Sequence, residues 1–344
     1  MPNAVLTEAI DRLASGEDLP ADGAATVLRE VMAGEASEAQ AAAFLIALRT
    51  KGETVEEIVG LARAMRSLAR GVAVDRANLL DTAGTGGGRP TFNVSTTAAF
   101  VAAGAGCVVA KHGNRSATGR SGSADVLEAL GARIDLDPER VAECISSVGF
   151  GFMFAPHHHA AMRHVVAVRR ELAVRTIFNF LGPLTNPAGA TRQLIGVSDG
   201  RYLDTIAAAL RGLGGEVALV VSSEDGLDEI SVSGPTRAVE LRDGSIRSFT
   251  ITPEGLGLEP APADAVGAAD PSQSAAIARA VMDGSASVAE RSLVVANAGA
   301  AIYVGGGASS LEAGVRAAEA AIDSGAARDS LDRFVARTVE LADS

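Results

Sequence analysis

Residues 79–111 read LLDTAGTGGGRPTFNVSTTAAFVAAGAGCVVAK and predict one repeating unit of an α/β fold. A short apolar run at Leu79–Asp81 predicts a strand, a glycine-rich stretch predicts a turn, and Asn93 opens a helix that leads to a second strand at Val108–Ala110. No charged side chain occurs in residues 90–110. Polar residues and glycines divide this interval into pieces too short to cross a bilayer, so we interpret it as a buried helix followed by a buried strand.

The same alternation of short apolar runs, turns and helical patterns continues along the rest of the chain. Strands are predicted at Val217–Val221, Ile230–Val232, Ala238–Leu241 and Ser248–Ile251, and helices at Ala124–Leu130, Leu203–Leu213 and Ser274–Met282. Strands separated by helices indicate an α/β domain with a mostly parallel central sheet flanked by helices. Residues 258–271, rich in Ala, Pro and Asp, are interpreted as an exposed connection only.

Residues 3–70 differ, because helical patterns follow one another there without a predicted strand. Ser37 and Gln40 form a capping-box pattern ahead of one of the apolar runs, and Thr54 and Glu57 repeat it ahead of the next. We therefore predict a small all-helical domain beside a larger α/β domain. The helical domain is expected over residues 1–70 with helices around 160–185, and the α/β domain over 72–159 and 186–344.

The composition is typical of a folded protein whose surface as a whole repels polyanions. Apolar residues make up 47% and charged residues 21% of the 344 residues, which excludes a disordered chain. The formal net charge of −12 disfavours nucleic acid and anionic membranes, so an anionic ligand needs a local site or a bridging metal. Cys107 and Cys144 have no metal or redox spacing and no signal-peptide pattern is found, so a cytoplasmic location is expected.

Chemistry-bearing residues follow three predicted strands, at the strand ends where open α/β sheets bind ligands. Residues 84–93, here called the glycine loop, follow the first strand. Glycines let backbone N–H groups approach an anion, and the N-terminus of the next helix adds donors and partial positive charge. The dinucleotide pattern fails because residue 89 is arginine, and no Lys-Ser/Thr ending completes a phosphate-loop pattern. By itself, the loop is either an anion site or a tight turn.

Residues 111–123, here called the basic loop, follow the second strand. Lys111, Arg115 and Arg120 lie close together there in an otherwise acidic chain, and Lys111 is one of only two lysines. A compact ammonium group binds anions differently from a guanidinium group, so the position of this lysine is suggestive. The alternative is a solvated basic turn.

Residues 224–229, here called the acidic turn, follow the strand predicted at Val217–Val221. They hold four carboxylates, which repel one another unless water or a cation neutralises them. Mg²⁺ commonly bridges one or two carboxylates and substrate phosphates, so a magnesium site beside an anion site is one interpretation. A solvated acidic turn is the other.

Together, these segments closely resemble the anthranilate phosphoribosyltransferase family. The matches occur in that family's order and are Gly84–Gly87, Phe92–Thr96, Lys111–Ser116, Ser121–Asp125, Val168–Leu172, Phe178–Asn179, Leu181–Leu184 and Asp225–Glu229. The resemblance implies transfer of the phosphoribosyl group of phosphoribosyl pyrophosphate to anthranilate, in tryptophan biosynthesis, with pyrophosphate released. It also implies Mg²⁺ as cofactor, two ions per subunit, and a homodimer formed through the helical domain.

The resemblance also implies roles for particular residues. The expected contacts of the phosphoribosyl donor are Gly84, Gly87, Gly88, Thr91, Asn93, Val94, Ser95, Thr96, Lys111, His112, Gly113, Asn114, Arg115, Ser116, Ala117, Thr118, Gly119 and Ser123. The expected metal ligands are Ser95, Asp228 and Glu229, and Gly84, Asn114 and Arg169 are expected to contact anthranilate, the arginine through its carboxylate. No general base is assigned, because the attacking aniline nitrogen loses its proton readily once it has become an ammonium.

The chain departs from the family pattern at two positions. Gly88 stands where the family usually has aspartate, in a loop one residue shorter, and Gly119 stands where serine is frequent. With one carboxylate fewer, donor affinity is expected to depend less steeply on Mg²⁺.

Two alternative functions are weighed against this one. A pyrimidine nucleoside phosphorylase would carry a Lys-x-Ser-Gly-Arg type of basic loop, and residues 111–115 read KHGNR instead. A non-catalytic relative that binds nucleic acid would be basic, whereas this chain has a net charge of −12 and retains Asp228 and Glu229.

Overall fold

A computed structural model describes residues 1–116, 121–268 and 270–343. The α-helices in these residues are α1 (Ala4–Ala14), α2 (Ala21–Ala33), α3 (Glu38–Lys51), α4 (Val55–Ser67), α5 (Val94–Gly104), α6 (Ser123–Ala129), α7 (Pro138–Val148), α8 (Ala155–His158), α9 (Arg163–Leu172), α10 (Phe178–Leu184), α11 (Leu203–Gly212), α12 (Pro271–Asp283), α13 (Val288–Gly305), α14 (Leu311–Asp323) and α15 (Ala326–Asp343). The strands are β1 (Leu80–Gly84), β2 (Val109–Gly113), β3 (Phe150–Phe154), β4 (Arg192–Gly196), β5 (Val217–Ser223), β6 (Thr236–Arg242) and β7 (Ser245–Ile251).

Within the described residues, the strands form one sheet in the order β3-β2-β1-β4-β5-β6-β7. The pairs from β3 to β5 are parallel, and β6 and β7 extend the sheet in antiparallel pairs. Leu80 of β1 pairs with Val109 of β2 on one side and with Arg192 of β4 on the other. Strands β2 and β3 lie on one side of β1, whereas β4 and the later strands lie on the other, so the strand order reverses between β1 and β4. The carboxyl ends of β1 and β4 therefore border the crevice where such sheets bind ligands.

Five of the predicted strands are confirmed as β1, β2, β5, β6 and β7, and the strand predicted at Ile230–Val232 is wrong. That segment does not join the sheet, because side chains take its backbone donors. Ile230 N–H donates to Asn297 Oδ1 (2.9 Å), and Ser231 N–H donates to Thr236 Oγ1 (3.0 Å). Strands β3 and β4 are not among the strands predicted from the sequence.

The N-terminal helices α1–α4 share a hydrophobic core with α9 and α10. Leu28, Phe44 and Leu61 are fully buried in it beside Val165 and Phe178. This core continues onto α11 and one face of β4 and β5, so the helical part lies against the sheet.

The opposite face of the sheet is covered by helices that include α5 and α13, and α14 packs on these two helices. Phe100 of α5 stacks on Phe150 of β3 with ring centroids 4.1 Å apart. The interpretation of residues 90–110 as a buried helix and a buried strand is therefore confirmed, and so is the fold class: a small helical domain beside an α/β domain with a mostly parallel sheet. Among the described residues, no helix is both long and apolar enough to cross a membrane.

Candidate active site

The glycine loop begins at the end of β1 and crosses the crevice between β1 and β4. Thr85 N–H donates to the Gly196 carbonyl oxygen of β4 (2.9 Å). Gly86 and Gly87 have φ values of 63° and 85°, a region that side chains other than glycine rarely adopt. The first half of the loop is therefore held on β4, and its turn requires glycine at both positions.

The acidic turn contacts this loop through Asp228, which is half-buried. A Cβ atom added at Gly84 would lie 3.1 Å from Asp228 Oδ2, and one added at Gly88 would lie 2.6 Å from Asp228 Oδ1. At Gly196 an added Cβ would lie 1.7 Å from the Asp228 carbonyl oxygen. Gly86 N–H donates to the Asp228 carboxylate. Gly84 and Gly88 thus leave room for the Asp228 carboxylate at this edge of the sheet, and Gly196 leaves room for its backbone.

The predicted metal ligands lie together at this contact. Burial raises the pKa of Asp228, and burial together with the charge of Asp228 raises the pKa of Glu229 to about 8. Ser95 N–H, at the start of α5, donates to the Glu229 carboxylate, and the nearby Lys111 ammonium favours its ionised form. The acidic turn is therefore not the solvated turn that was the alternative.

This donor set fits a magnesium ion that also binds substrate phosphates. Two carboxylates and a hydroxyl are hard oxygen donors, and Mg²⁺ is usually held by one or two carboxylates together with phosphate oxygens. Among the described residues, no group of three or more His, Cys, Asp and Glu side chains could hold an ion by itself. A cation here would also offset the repulsion that raises the pKa of Glu229.

Lys111 of β2 is buried below the start of α5, with 1% of its surface exposed. Its ammonium donates to the Thr82 carbonyl oxygen and lies 3.4 Å from Ser95 Oγ. Burial lowers the pKa of Lys111, while the charges of Asp81 and Glu229 raise it. The lysine supports Ser95 and the acidic turn from inside the protein, and the solvated basic turn is excluded at this residue.

The side chain of His112, on β2, is also buried and contacts α10. The backbone N–H of His112 donates to Asp81 Oδ1 (3.1 Å), and its ring Nδ1 lies 3.1 Å from the Gly182 carbonyl oxygen. Gly113 ends β2 beside Phe152 and Ser123, where an added Cβ would lie 2.8 Å and 3.0 Å from their side chains. These residues fix the start of the basic loop.

The exposed part of the basic loop faces α6. Asn114 Oδ1 accepts a hydrogen bond from Arg115 N–H (2.7 Å), and the Arg115 guanidinium pairs with Asp125 (2.8 Å) and Glu128 (2.6 Å). A donor phosphate at Arg115 would therefore compete with two carboxylates. Ser123 is the first residue of α6. The predicted contacts Ala117, Thr118 and Gly119 lie outside the described residues.

The start of α5 presents one polar side chain without a partner. Thr96 is 1% exposed, and its Oγ1 has no hydrogen-bond partner in the part of the chain that the structure describes. Val94 is also buried, so only its backbone can contact a ligand.

Residues 258–271 are more than the exposed connection predicted from their composition. Thr91 Oγ1 donates to the Val266 carbonyl oxygen, and Val266 is 1% exposed. Ser274 of α12 accepts from Asn93 N–H (2.8 Å) and donates to Asn93 Oδ1 (2.7 Å). We call residues 263–268 and 270–274 the strap, since they hold the end of the glycine loop. No sequence motif marks these contacts, because they join residues about 180 positions apart.

Two arginines lie beside the helical domain, one on α9 and one in the segment between α9 and α10. Arg169 on α9 is half-buried, with its guanidinium 5.2 Å from the centre of the Phe178 ring. Arg175, between α9 and α10, donates to the carbonyl oxygens of Gly86 and Thr85 in the glycine loop. Arg175 is not among the residues predicted from the sequence, since a lone arginine between two helices carries no local signal.

Comparison with known proteins identifies the family. The family model described as glycosyl transferase family, a/b domain, matches residues 76–328, and the model described as glycosyl transferase family, helical bundle domain, matches residues 7–69. Anthranilate phosphoribosyltransferases of Halorhodospira halophila and Rubrobacter xylanophilus are each 53% identical to this chain, over 98% of its length and 99% of theirs.

Solved structures agree over nearly the whole chain. The anthranilate phosphoribosyltransferase of Thermus thermophilus superposes with a TM-score of 0.90 at 46% identity, covering 96% of this chain and 99% of that one. The enzyme of Saccharomyces cerevisiae in complex with PRPP (phosphoribosyl pyrophosphate) and Mg superposes with a TM-score of 0.91 at 27% identity, covering 98% and 99%. This chain belongs to the anthranilate phosphoribosyltransferase family.

Proposed function

We propose that this chain joins anthranilate to phosphoribosyl pyrophosphate, giving N-(5-phosphoribosyl)anthranilate and pyrophosphate, as a pentosyltransferase of tryptophan biosynthesis. The observation that carries the proposal is the contact between the glycine loop and the acidic turn, where the Cβ position of Gly88 is 2.6 Å from Asp228 Oδ1. Anion-binding backbone thus adjoins metal-binding carboxylates, as a pyrophosphate-bearing substrate requires. Yeast relatives solved with PRPP and Mg and with 4-fluoroanthranilate support both substrates.

The chemistry requires positioning and charge stabilisation more than proton transfer. A C–N bond forms at the anomeric carbon while the C–O bond to pyrophosphate breaks, so negative charge grows on the leaving group. Backbone N–H groups of the glycine loop and of the start of α5 stabilise that charge. The nitrogen's proton passes to solvent after attack, so we assign no catalytic base and attribute the rate to orientation of the two substrates.

The metal-binding part of the proposal rests on Ser95, Asp228 and Glu229. These residues would hold Mg²⁺, two ions per subunit, which neutralises charge on the pyrophosphate when bound. The raised pKa of Glu229, caused by burial and by the neighbouring charge of Asp228, supports a cation at this place.

The remaining residue roles are also proposals. Thr96, whose Oγ1 has no hydrogen-bond partner among the described residues, would bind phosphoribosyl pyrophosphate together with the rest of the predicted donor set. Arg169 would bind the anthranilate carboxylate together with Gly84 and Asn114. We further propose a cytoplasmic homodimer assembled through the helical domain. The domain limits remain those predicted: residues 1–70 with helices around 160–185, and 72–159 with 186–344.

Anthranilate fluorescence gives a direct test. Purified protein mixed with phosphoribosyl pyrophosphate should consume the anthranilate signal only when Mg²⁺ is present, and addition of a chelator should stop the reaction. The same protein is offered uridine or thymidine with phosphate as a matched control. Phosphorolysis of the nucleoside without consumption of anthranilate would reject the transferase function and indicate a nucleoside phosphorylase.

A further inference from the structure

Arg89, the residue after Gly88, joins the glycine loop to two other segments. Its N–H donates to the Gly226 carbonyl oxygen (2.7 Å), and its guanidinium pairs with Asp225 Oδ2 (3.0 Å). The guanidinium also donates to the Ala263 carbonyl oxygen of the strap (2.5 Å). The side chain is only 27% exposed, so these contacts are partly removed from water.

Asp225 is a fixed anchor for this arginine. Its carboxylate accepts hydrogen bonds from the hydroxyls of Ser223, Ser231 and Ser233, and from Leu227 N–H (3.2 Å). Although burial acts to raise the pKa of Asp225, these hydrogen bonds lower it below the ordinary value, so the group stays ionised. Because four neighbours already fix its carboxylate, Asp225 loses little side-chain entropy when it pairs with Arg89.

The glycine loop lies directly on the acidic turn at the same place. A Cβ atom at residue 88 would lie 2.8 Å from Asp228 N as well as 2.6 Å from Asp228 Oδ1. An aspartate at this position would therefore displace either the loop or Asp228, and Gly88 is required by the approach of the two segments. The pairing of Arg89 with Asp225, three residues before Asp228, holds that approach.

The residues that follow Arg89 in the glycine loop also contact the strap. Thr91 and Asn93 are bound to the strap, so alternate residues of the second half of the loop are held at one side. The first half is bound to β4 through Thr85. Arg89 is the residue in this set that also reaches the acidic turn with its side chain.

We infer that Arg89 is a positioning residue for the phosphoribosyl donor, which fixes the glycine loop on the acidic turn and so sets the spacing between phosphate-binding backbone and metal-binding carboxylates. This inference rests on the proposed function. Loss of the side chain should raise the donor KM more than it lowers turnover. The reason is that part of the donor's binding free energy must then be used to order the loop. Anthranilate binding should change little.

The test compares Arg89→Ala, Arg89→Lys and Arg291→Ala in the full-length protein. Arg291 forms an ion pair with Asp323 (2.7 Å) and is 28% exposed, which makes it a control of similar burial outside the site. Arg89→Ala should raise the donor KM by about ten- to hundredfold, the range of a lost charge-assisted hydrogen bond. The anthranilate KM should stay within about twofold, Arg89→Lys should recover part of the loss, and Arg291→Ala should change none of these values.

A double-mutant cycle with Asp225→Ala tests the partner. If Arg89 acts through Asp225, the double variant should have the donor KM of Asp225→Ala alone. Fully additive effects, a donor KM unchanged in Arg89→Ala, or equal rises in both KM values would each overturn the inference.

Amide hydrogen exchange separates failure of this inference from failure of the proposed function. In the unliganded protein, Arg89→Ala should speed exchange in peptides covering residues 84–93, and Arg291→Ala should not. This measurement needs no activity, so a wild-type protein that fails to consume anthranilate would reject the transferase while the exchange still decides the role of Arg89. Unchanged exchange in Arg89→Ala would reject the positioning role.

Discussion

Asp228 is a half-buried residue that packs against glycines of two strands and one loop, with its carboxylate facing Gly84 and Gly88 and its carbonyl oxygen facing Gly196. Asp228→Asn keeps its size and its ability to accept from Gly86 N–H but removes the charge. Since burial disfavours that charge, the variant should fold with an unchanged or higher melting temperature. Turnover should fall about a hundredfold or more, because metal neutralisation contributes several kcal/mol to the transition state.

Steady-state rates over a Mg²⁺ titration check this prediction, with Asp75→Asn as an isosteric control at an exposed position. Near wild-type turnover of Asp228→Asn at limiting Mg²⁺ would remove Asp228 from the ligand set.

Arg169 is the residue proposed to bind the acceptor. Its guanidinium lies over the Phe178 ring, which fixes the plane of its donors. Arg169→Ala should raise the anthranilate KM by about ten- to hundredfold and leave the donor KM nearly unchanged. Arg170→Ala, the exposed neighbour, is the control. Equal effects of Arg169→Ala on both substrates would mean that the arginine acts on the fold.

At the level of secondary structure, two buried histidine side chains are in contact where β2 meets the segment that follows α8. His112 of β2 and His159, which follows α8, have ring centres 5.1 Å apart, and neither Nε2 has a partner among the described residues. Burial lowers the pKa of His112 to about 3 and that of His159 to about 4. Below about pH 6.5 the unfolded chain therefore binds protons that the folded protein does not.

The contribution of each histidine to the free energy of unfolding should consequently fall by up to about 2 kcal/mol as the pH is lowered from 7 to 5. The raised pKa values of Glu229 and Asp81 act in the opposite direction over this interval, so the histidine contribution is measured as the difference between wild type and variant. Urea unfolding at both pH values measures it. His159→Gln should lose less stability over this interval than the wild type. Parallel losses in both proteins would show that other groups dominate the acid response.

Helices α13 and α14 cross at their backbones. A Cβ atom added at Gly314 would lie 2.1 Å from the Gly299 carbonyl oxygen. Gly314→Ala should therefore lower the free energy of unfolding by about 1–3 kcal/mol, since the helices must separate. Gly182→Ala is the control, because Gly182 is also helical and, in the described residues, no atom beyond its chain neighbours and its own helix backbone lies within 4 Å of its added Cβ. Equal urea midpoints for both variants would contradict the prediction.

For the whole molecule, the expected assembly is a dimer through the helical domain. Sedimentation equilibrium at micromolar concentration should give twice the chain mass of 34.8 kDa. Dissociation should leave the α/β site formed but lower its stability, because interface burial contributes to the folded state by mass action. A concentration-independent mass of one chain would reject the dimer.

Much of the fold and of the site could be predicted from local patterns. The buried strand and helix of residues 90–110, the capping box at Thr54 and the order of the three loops depend on neighbours in the chain, which the sequence displays. The strand predicted at Ile230–Val232 failed because Asn297, 67 residues away, binds its backbone. The strap was missed for the same reason.

Reading the sequence is enough to identify the glycines that permit a close approach, the carboxylates for a cation and the family to which the chain belongs. The folded structure is needed to show that Lys111 is buried beneath Ser95, that Asp228 lies against Gly88, and that Arg175 and Arg89 contact the glycine loop and its neighbours. The physical reason is that burial and pairing arise where distant segments meet. A sequence shows which groups can hydrogen-bond or ionise, whereas the folded chain selects their partners and removes water from them.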